Sequence, residues 1–175
     1  MPHTDLHHTH EYIMKTLRPI TLASFLGTLT LASIAFAAPT YENNPGAACV
    51  ATGDNPLSVR IDGEAENQTS SGMYAVCPAE RPVDDLATEV SGRVFVVDQH
   101  PTSNACCRAA SKNPSGSYQY SSWECSSGSS SGYQILDVDP VNDGYSWSHF
   151  MLQCYLPPMS GNAASRIQTY RVIQD

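Results

Sequence analysis

A chain of 175 residues, 41% hydrophobic and only 15% charged, is too apolar to remain disordered and too weakly charged for a coiled coil. Its 9 Lys and Arg against 17 Asp and Glu give a formal net charge of −8. That leaves no basic surplus to neutralise phosphates, which argues against a nucleic-acid partner or an anionic membrane surface. Ser, Thr, Gly and Pro recur at short intervals, so an all-α reading is also disfavoured.

The chain opens with an apolar run, Ile20 to Ala38, preceded by Lys15 and Arg18 and ending in Ala35-Phe36-Ala37-Ala38-Pro39. A positive start, an apolar helix-forming stretch and small residues at the −3 and −1 positions predict a secretory signal peptide cleaved after about Ala37. Met14 opens that signal as an ordinary start would. Residues 1–13 carry four of the six histidines (His3, His7, His8, His10) and read as an extension lost with the leader. The expected division is therefore 1–37, extension and signal helix, and 38–175, a secreted domain. The 7 basic and 15 acidic residues of 38–175 carry the whole −8. The expected location is the periplasm or the cell exterior of a bacterium, with no stable membrane insertion after cleavage.

Beyond the leader, no window longer than about ten residues keeps a helical period, while several short runs alternate with a period of two. Candidate strands, in order, are Leu57–Asp62, Gly72–Cys77, Arg93–Asp98, Ala105–Ala109, Ser117–Glu124, Tyr133–Val138, Ser146–Leu156 and Arg166–Ile173. A helical turn is expected around Val83–Val90. Turn-forming pairs such as Asp62-Gly63, Asn113-Pro114 and Ser160-Gly161 separate them. Seven or eight short strands at this spacing predict an all-β, antiparallel β-sandwich or jelly-roll-like domain. In the longest strand, Ser148, Phe150, Leu152, Cys154 and Leu156 share the face suited to a core, and Trp147, His149, Met151, Gln153 and Tyr155 share the other.

All six cysteines lie in 38–175, and an even number in an exported chain predicts three disulfides. No C-x-x-C spacing favours zinc. Neighbours on an extended segment point to opposite faces, so Cys106 and Cys107 should take different partners. The expected pairs are Cys107–Cys125 across a hairpin, Cys49–Cys106, and Cys77–Cys154 in the core.

Candidate sites are few. Only His100 and His149 remain for general-base chemistry, with no G-x-S-x-G elbow or S-x-x-K beside them. Asp137, Asp139 and Asp143 could supply oxygen ligands to calcium, although Pro140 and Val141 interrupt the EF-hand spacing and a plain turn explains the same residues. Tyr118, Tyr120, Trp123, Tyr133 and Tyr145 lie among small polar residues, as a sugar- or protein-binding surface requires. For Trp123 or Trp147 a core position is the stronger expectation. Asn67-Gln68-Thr69 matches N-x-T, with glycosylation not expected in a bacterial chain.

Val76-Cys77-Pro78 with Arg81, the strand Arg93-Val94-Phe95-Val96-Val97-Asp98, the end Cys154-Tyr155-Leu156-Pro157-Pro158 and the terminal Ile167-Gln168-Thr169-Tyr170-Arg171-Val172 together form a pattern. It resembles a group of uncharacterised secreted bacterial proteins with no assigned activity. The resemblance implies export and the fold, and no site residues. The expected function is a non-catalytic secreted or periplasmic binding or structural module without a cofactor, whose partner is a glycan or an envelope or extracellular protein. The alternatives are a small secreted hydrolase using His100 or His149 and a calcium-stabilised carbohydrate-binding module.

Overall fold

The computed structural model describes residues 39–80, 89–142 and 147–174. The expected signal peptide, the rest of the extension and Tyr145 and Asp143 lie outside the described residues. Within them the elements are β1 (Thr40–Pro45), a single 3-10 turn (Gly46–Ala48), β2 (Val50–Ala51), β3 (Ser58–Val59), β4 (Ala65–Glu66) and β5 (Met73–Ala79). There follow β6 (Glu89–Val97), β7 (Cys106–Lys112), β8 (Tyr118–Tyr120), β9 (Glu124–Cys125), β10 (Gln134–Asn142), β11 (His149–Leu156) and β12 (Arg166–Gln174). No helix among these residues is long and apolar enough to cross a membrane.

The strands form two antiparallel sheets that share no strand, which makes the domain a β-sandwich. One has the order β10-β6-β12-β4-β3, with β1 also paired to β12; the other has the order β2-β5-β11-β7-β8, with β9 also paired to β7. Alternation drives this. In β5, Met73, Ala75, Cys77 and Ala79 are buried while Tyr74 and Pro78 are exposed. In β11, Phe150, Leu152, Cys154 and Leu156 are buried, as their spacing predicts. These residues pack against Val90, Val94 and Val96 of β6, Leu136 and Val138 of β10, and Ile167, Tyr170 and Val172 of β12 in one core. Gly92 in β6 faces that core, where a Cβ would lie 2.9 Å from Leu152 Cδ1 and 2.8 Å from the Arg171 carbonyl oxygen. Pro140 falls where the β10–β6 register slips between Val138 and Val141. β10 pairs with a single neighbour, so an edge strand absorbs the missing N–H.

Three differences from the expected elements have local causes. Strands β1, β2 and β4 carry little alternation of their own and exist through pairing with β12 and β5. The segment 117–124 divides into β8 and β9. Glu89 and Val90, expected in a helical turn, open β6; the remainder of that turn lies outside the described residues.

All three disulfides differ from the expected pairs, being Cys49–Cys77, Cys106–Cys125 and Cys107–Cys154, with Cα–Cα separations of 4.0, 4.0 and 4.1 Å. Each joins residues opposite one another on adjacent strands of a single sheet. Cys107 faces Cys154 in the β7–β11 ladder. Val50 pairs with Val76, which brings the preceding Cys49 opposite Cys77. Cys77 and Cys154 do lie on neighbouring strands, but Cys77 is opposite Leu152 and Cys154 opposite Ala75, two residues out of step. Along the β7 edge Ala110 faces Tyr120, whereas Cys106 faces Cys125. Continued unbroken, the β7–β8 register would set Cys125 opposite Ala105; one extra residue in the 121–123 connection brings it opposite Cys106, and Cys107 falls opposite Glu124. That vicinal cysteines take different partners on opposite faces holds.

Candidate ligand-binding face

The outward positions of the disulfide-bridged sheet hold most of its chemistry. In β5 they are Tyr74, Val76 and Pro78; in β11, His149, Met151, Gln153 and Tyr155; in β7, Cys106, Arg108, Ala110 and Lys112; in β8, Tyr118 and Tyr120. Register brings them together: Tyr74 lies opposite Tyr155, Arg108 opposite Gln153, and Tyr118 opposite Lys112.

The rings form a continuous row. Tyr155 and Tyr74 have centroids 5.3 Å apart, and Tyr74 and Trp123 are 6.3 Å apart. The Arg108 guanidinium lies 4.5 Å from the Trp123 ring centroid and 3.7 Å from that of Tyr120. Tyr120 stacks on Tyr118 at 5.5 Å with the planes 6° apart, and Lys112 Nζ lies 4.9 Å from the Tyr118 centroid. The indole and guanidinium thus bridge two strand pairs that the chain visits far apart.

Several local features hold this row in place. Asn113 ends the β7–β8 hairpin turn: its side-chain oxygen accepts from Ser117 N at 2.8 Å and from Ser115 Oγ at 2.8 Å. The Trp123 connection is pinned on one side by Ser121, whose Oγ accepts from Ala109 N at 2.9 Å. On the other, Ser122 Oγ donates to Asp139 Oδ2 at 2.5 Å. The Cys106–Cys125 bridge closes the connection covalently. Gly72 admits the Tyr155 side chain, whose hydroxyl a Cβ there would meet at 2.3 Å and whose ring at 2.7 Å. Arg108 Nε and Nη2 both donate to Gln153 Oε1, at 3.1 and 3.0 Å. Beside them a groove of about 250 Å³ is lined by Thr52, Tyr74, Val76, Arg108, Tyr120 and Gln153. Its floor and walls therefore offer aromatic faces, an amide, a hydroxyl and a guanidinium.

Of the residues named from sequence, Tyr118, Tyr120 and Trp123 meet on this face. Trp123 and Trp147 are not core residues; Trp147 is 83% exposed and Trp123 is on the outer surface. Trp147 has φ of 65° in the turn before β11, so the alternation of the strand does not reach it. Tyr133 belongs elsewhere, at the head of β10 in the other sheet, with its ring 5.8 Å from Phe95. Tyr74, Tyr155, Arg108 and Gln153 join Tyr118, Tyr120 and Trp123 from other strands. Alternation marks the first two as outward, but only register places them beside Trp123.

The two histidines have separate surroundings. His100 Nδ1 accepts from Ser103 N at 2.9 Å and Thr102 N at 3.2 Å, and the His100 backbone N–H donates to Asp98 Oδ1 at 3.0 Å. This ties one ring nitrogen to the backbone of a turn. His149 is exposed at the start of β11, opposite Lys112. Of the calcium candidates, Asp137 Oδ1 accepts from Arg93 Nε at 2.5 Å and Asp139 is engaged by Ser122. No group of three or more His, Cys, Asp or Glu that could hold a metal occurs among the described residues.

The class defined by these observations is an all-β, disulfide-bridged sandwich with an exposed aromatic face. Among solved structures, a "xylan-binding module CBM15" is similar over 78% of this chain and 97% of its own, at 11% identity and a TM-score of 0.49. A family two carbohydrate esterase from Cellvibrio japonicus is similar over 79% of this chain and 35% of its own, at 8% identity and a TM-score of 0.40. No protein-family model matches the chain, and no curated protein matches it. Similarities of this size carry no ligand across.

Proposed function

We propose that this is an exported glycan-binding module whose contact surface is the outer face of the disulfide-bridged sheet. The observation that carries the reading is the row Tyr155, Tyr74, Trp123, Tyr120 and Tyr118, half-buried at Tyr155 and exposed at the other four, yet locked by bridges, cations and hydrogen bonds. Sugar rings present C–H groups on their faces and hydroxyls at their edges. Aromatic planes cover the former, while Thr52, Gln153 and the Arg108 N–H groups bond the latter. Because the rings are already ordered, little conformational entropy is lost on binding. Three disulfides support export, together with the leader expected at 1–37 and the resemblance to exported bacterial proteins.

The test is binding to an immobilised panel of neutral and acidic polysaccharides, using the wild type, Trp123→Ala and Tyr120→Ala. The reading expects binding to some member of the panel, weakened about tenfold or more in each variant, with melting temperatures close to that of the wild type. Binding unaffected by both substitutions, or no binding to any glycan, overturns it.

A further inference from the structure

We propose that the glycan is acidic, and that Arg108 is the subsite for the carboxylate of a uronic acid unit; this rests on the glycan reading above. On a chain of net charge −8, cations are expected to be neutralised by neighbours. Three of the six described are: Arg60 lies 3.4 Å from Asp62, Arg93 2.5 Å from Asp137 and Arg166 2.6 Å from Glu64. Arg171, in the other sheet, donates to the neutral Asn43 Oδ1 at 2.7 Å.

Arg108 and Lys112 have no carboxylate partner among the described residues, and both stand on the aromatic face. The one Asp or Glu in β2, β5, β11, β7, β8 or β9 is Glu124, half-buried opposite Cys107, and it forms no ion pair with Arg108 or Lys112. Asp54 and Glu80 lie beyond the ends of β2 and β5, and Asp139, beside the Trp123 connection, accepts from Ser122. Two of the three described cations without a carboxylate partner therefore stand where the rings are.

The setting of Arg108 is that of a receptor for a planar anion. Two rings flank the guanidinium, and both its bonds to protein, from Nε and Nη2, end on one neutral amide oxygen. This holds its plane without cancelling its charge. The Nη1 side has no protein acceptor among the described residues, and Arg108 lines the groove. A carboxylate can accept two parallel N–H bonds from such an edge, a geometry that a lone ammonium cannot supply. Glutamate at 153 would have offered the same oxygen with a counter-charge; glutamine leaves the charge for a ligand.

The experiment measures binding of oligogalacturonate, oligomannuronate and hyaluronate oligomers, each beside its carboxyl-reduced, neutral counterpart, with dextran sulfate as a further anion. Wild type should prefer at least one acidic oligomer over its neutral form by about tenfold or more at low salt, and less at high salt. Gln153→Glu, which supplies Arg108 with an internal counter-ion, should bring the ratio of acidic to neutral affinity to about one, whatever its effect on affinity itself. Arg108→Gln should do the same, and melting curves establish that both variants are folded. Equal binding of acidic and neutral forms overturns this inference and leaves the glycan reading standing; no binding to any member overturns both. A preference that survives in Gln153→Glu, or dextran sulfate bound in place of every uronate, overturns the carboxylate assignment.

Discussion

Asn67 shows how much one side chain does in this fold. It is fully buried, and its Nδ2 donates to the carbonyl oxygens of Ser71 at 2.8 Å, Pro157 at 2.9 Å and Leu156 at 3.2 Å. Its Oδ1 accepts from Thr69 Oγ1 at 2.7 Å and Thr69 N at 2.9 Å. The N-x-T tripeptide is thus a clasp between the loop after β4 and the end of β11, with the amide nitrogen committed to protein. Asn67→Ala should lower stability by about 3 kcal/mol, because several buried backbone groups lose their partner at once. Urea denaturation measures this, and a change below about 0.5 kcal/mol would show that the clasp is dispensable. Tripeptide spacing identifies the asparagine; two of the three carbonyls it bonds, those of Leu156 and Pro157, lie 89 and 90 residues away, and no local pattern reveals them.

At the scale of elements, the two sheets are tied directly as well as through apolar contact. Tyr170 of β12 is buried, and its hydroxyl crosses to the other sheet to donate to the Pro78 carbonyl oxygen of β5 at 2.9 Å. Burial, and secondarily the negative charge of Glu42, pushes this phenol up to about 12. An unfolded chain loses the same proton near pH 10. Below about pH 10 both states hold it, so its contribution to stability is complete; as pH rises toward 12 only the folded state keeps the proton, and that contribution is lost. The urea midpoint of the wild type should therefore fall between about pH 10 and 12. Tyr170→Phe should flatten that part of the profile, at a cost of about 1 kcal/mol near neutrality for the lost bond. Profiles of the same slope in both proteins would assign the alkaline transition to another group. Period-two alternation marks Tyr170 as inward; which strand its hydroxyl reaches depends on how the sheets stack.

For the whole molecule, the covalent reinforcement is one-sided. All three disulfides lie in the sheet that carries the aromatic face, two within the core and one, Cys106–Cys125, on its outer edge with Cys125 exposed. Mild reductant should open Cys106–Cys125 first, since thiolate attack requires access. Alkylation and peptide mapping would then find label on these two cysteines while the domain stays folded. Opening the buried pairs should need partial unfolding and should be followed by collapse of the fold. Each bridge contributes roughly 2–4 kcal/mol, against a total of roughly 5–15 kcal/mol for a domain. Label appearing on Cys107 or Cys154 before Cys125 would contradict this order.

Sequence by itself determined the fold class, the main strands and the inward face of each, because alternation is a local property of an extended chain bearing side chains on opposite sides. It also singled out Tyr118, Tyr120 and Trp123, which stand within six residues on one hairpin and its continuation. The disulfide pairs, the company those rings keep and the exposure of Trp147 were decided by tertiary structure alone. A one-residue slip in the 121–123 connection was enough to move Cys125 from opposite Ala105 to opposite Cys106. Tyr74, Arg108 and Gln153 come from three different strands, and only the pairing of β5 with β11 and of β11 with β7 makes them neighbours. Register is a relation between distant segments, set by the packing of the shared core and the lengths of the connections, so no single stretch of chain encodes it.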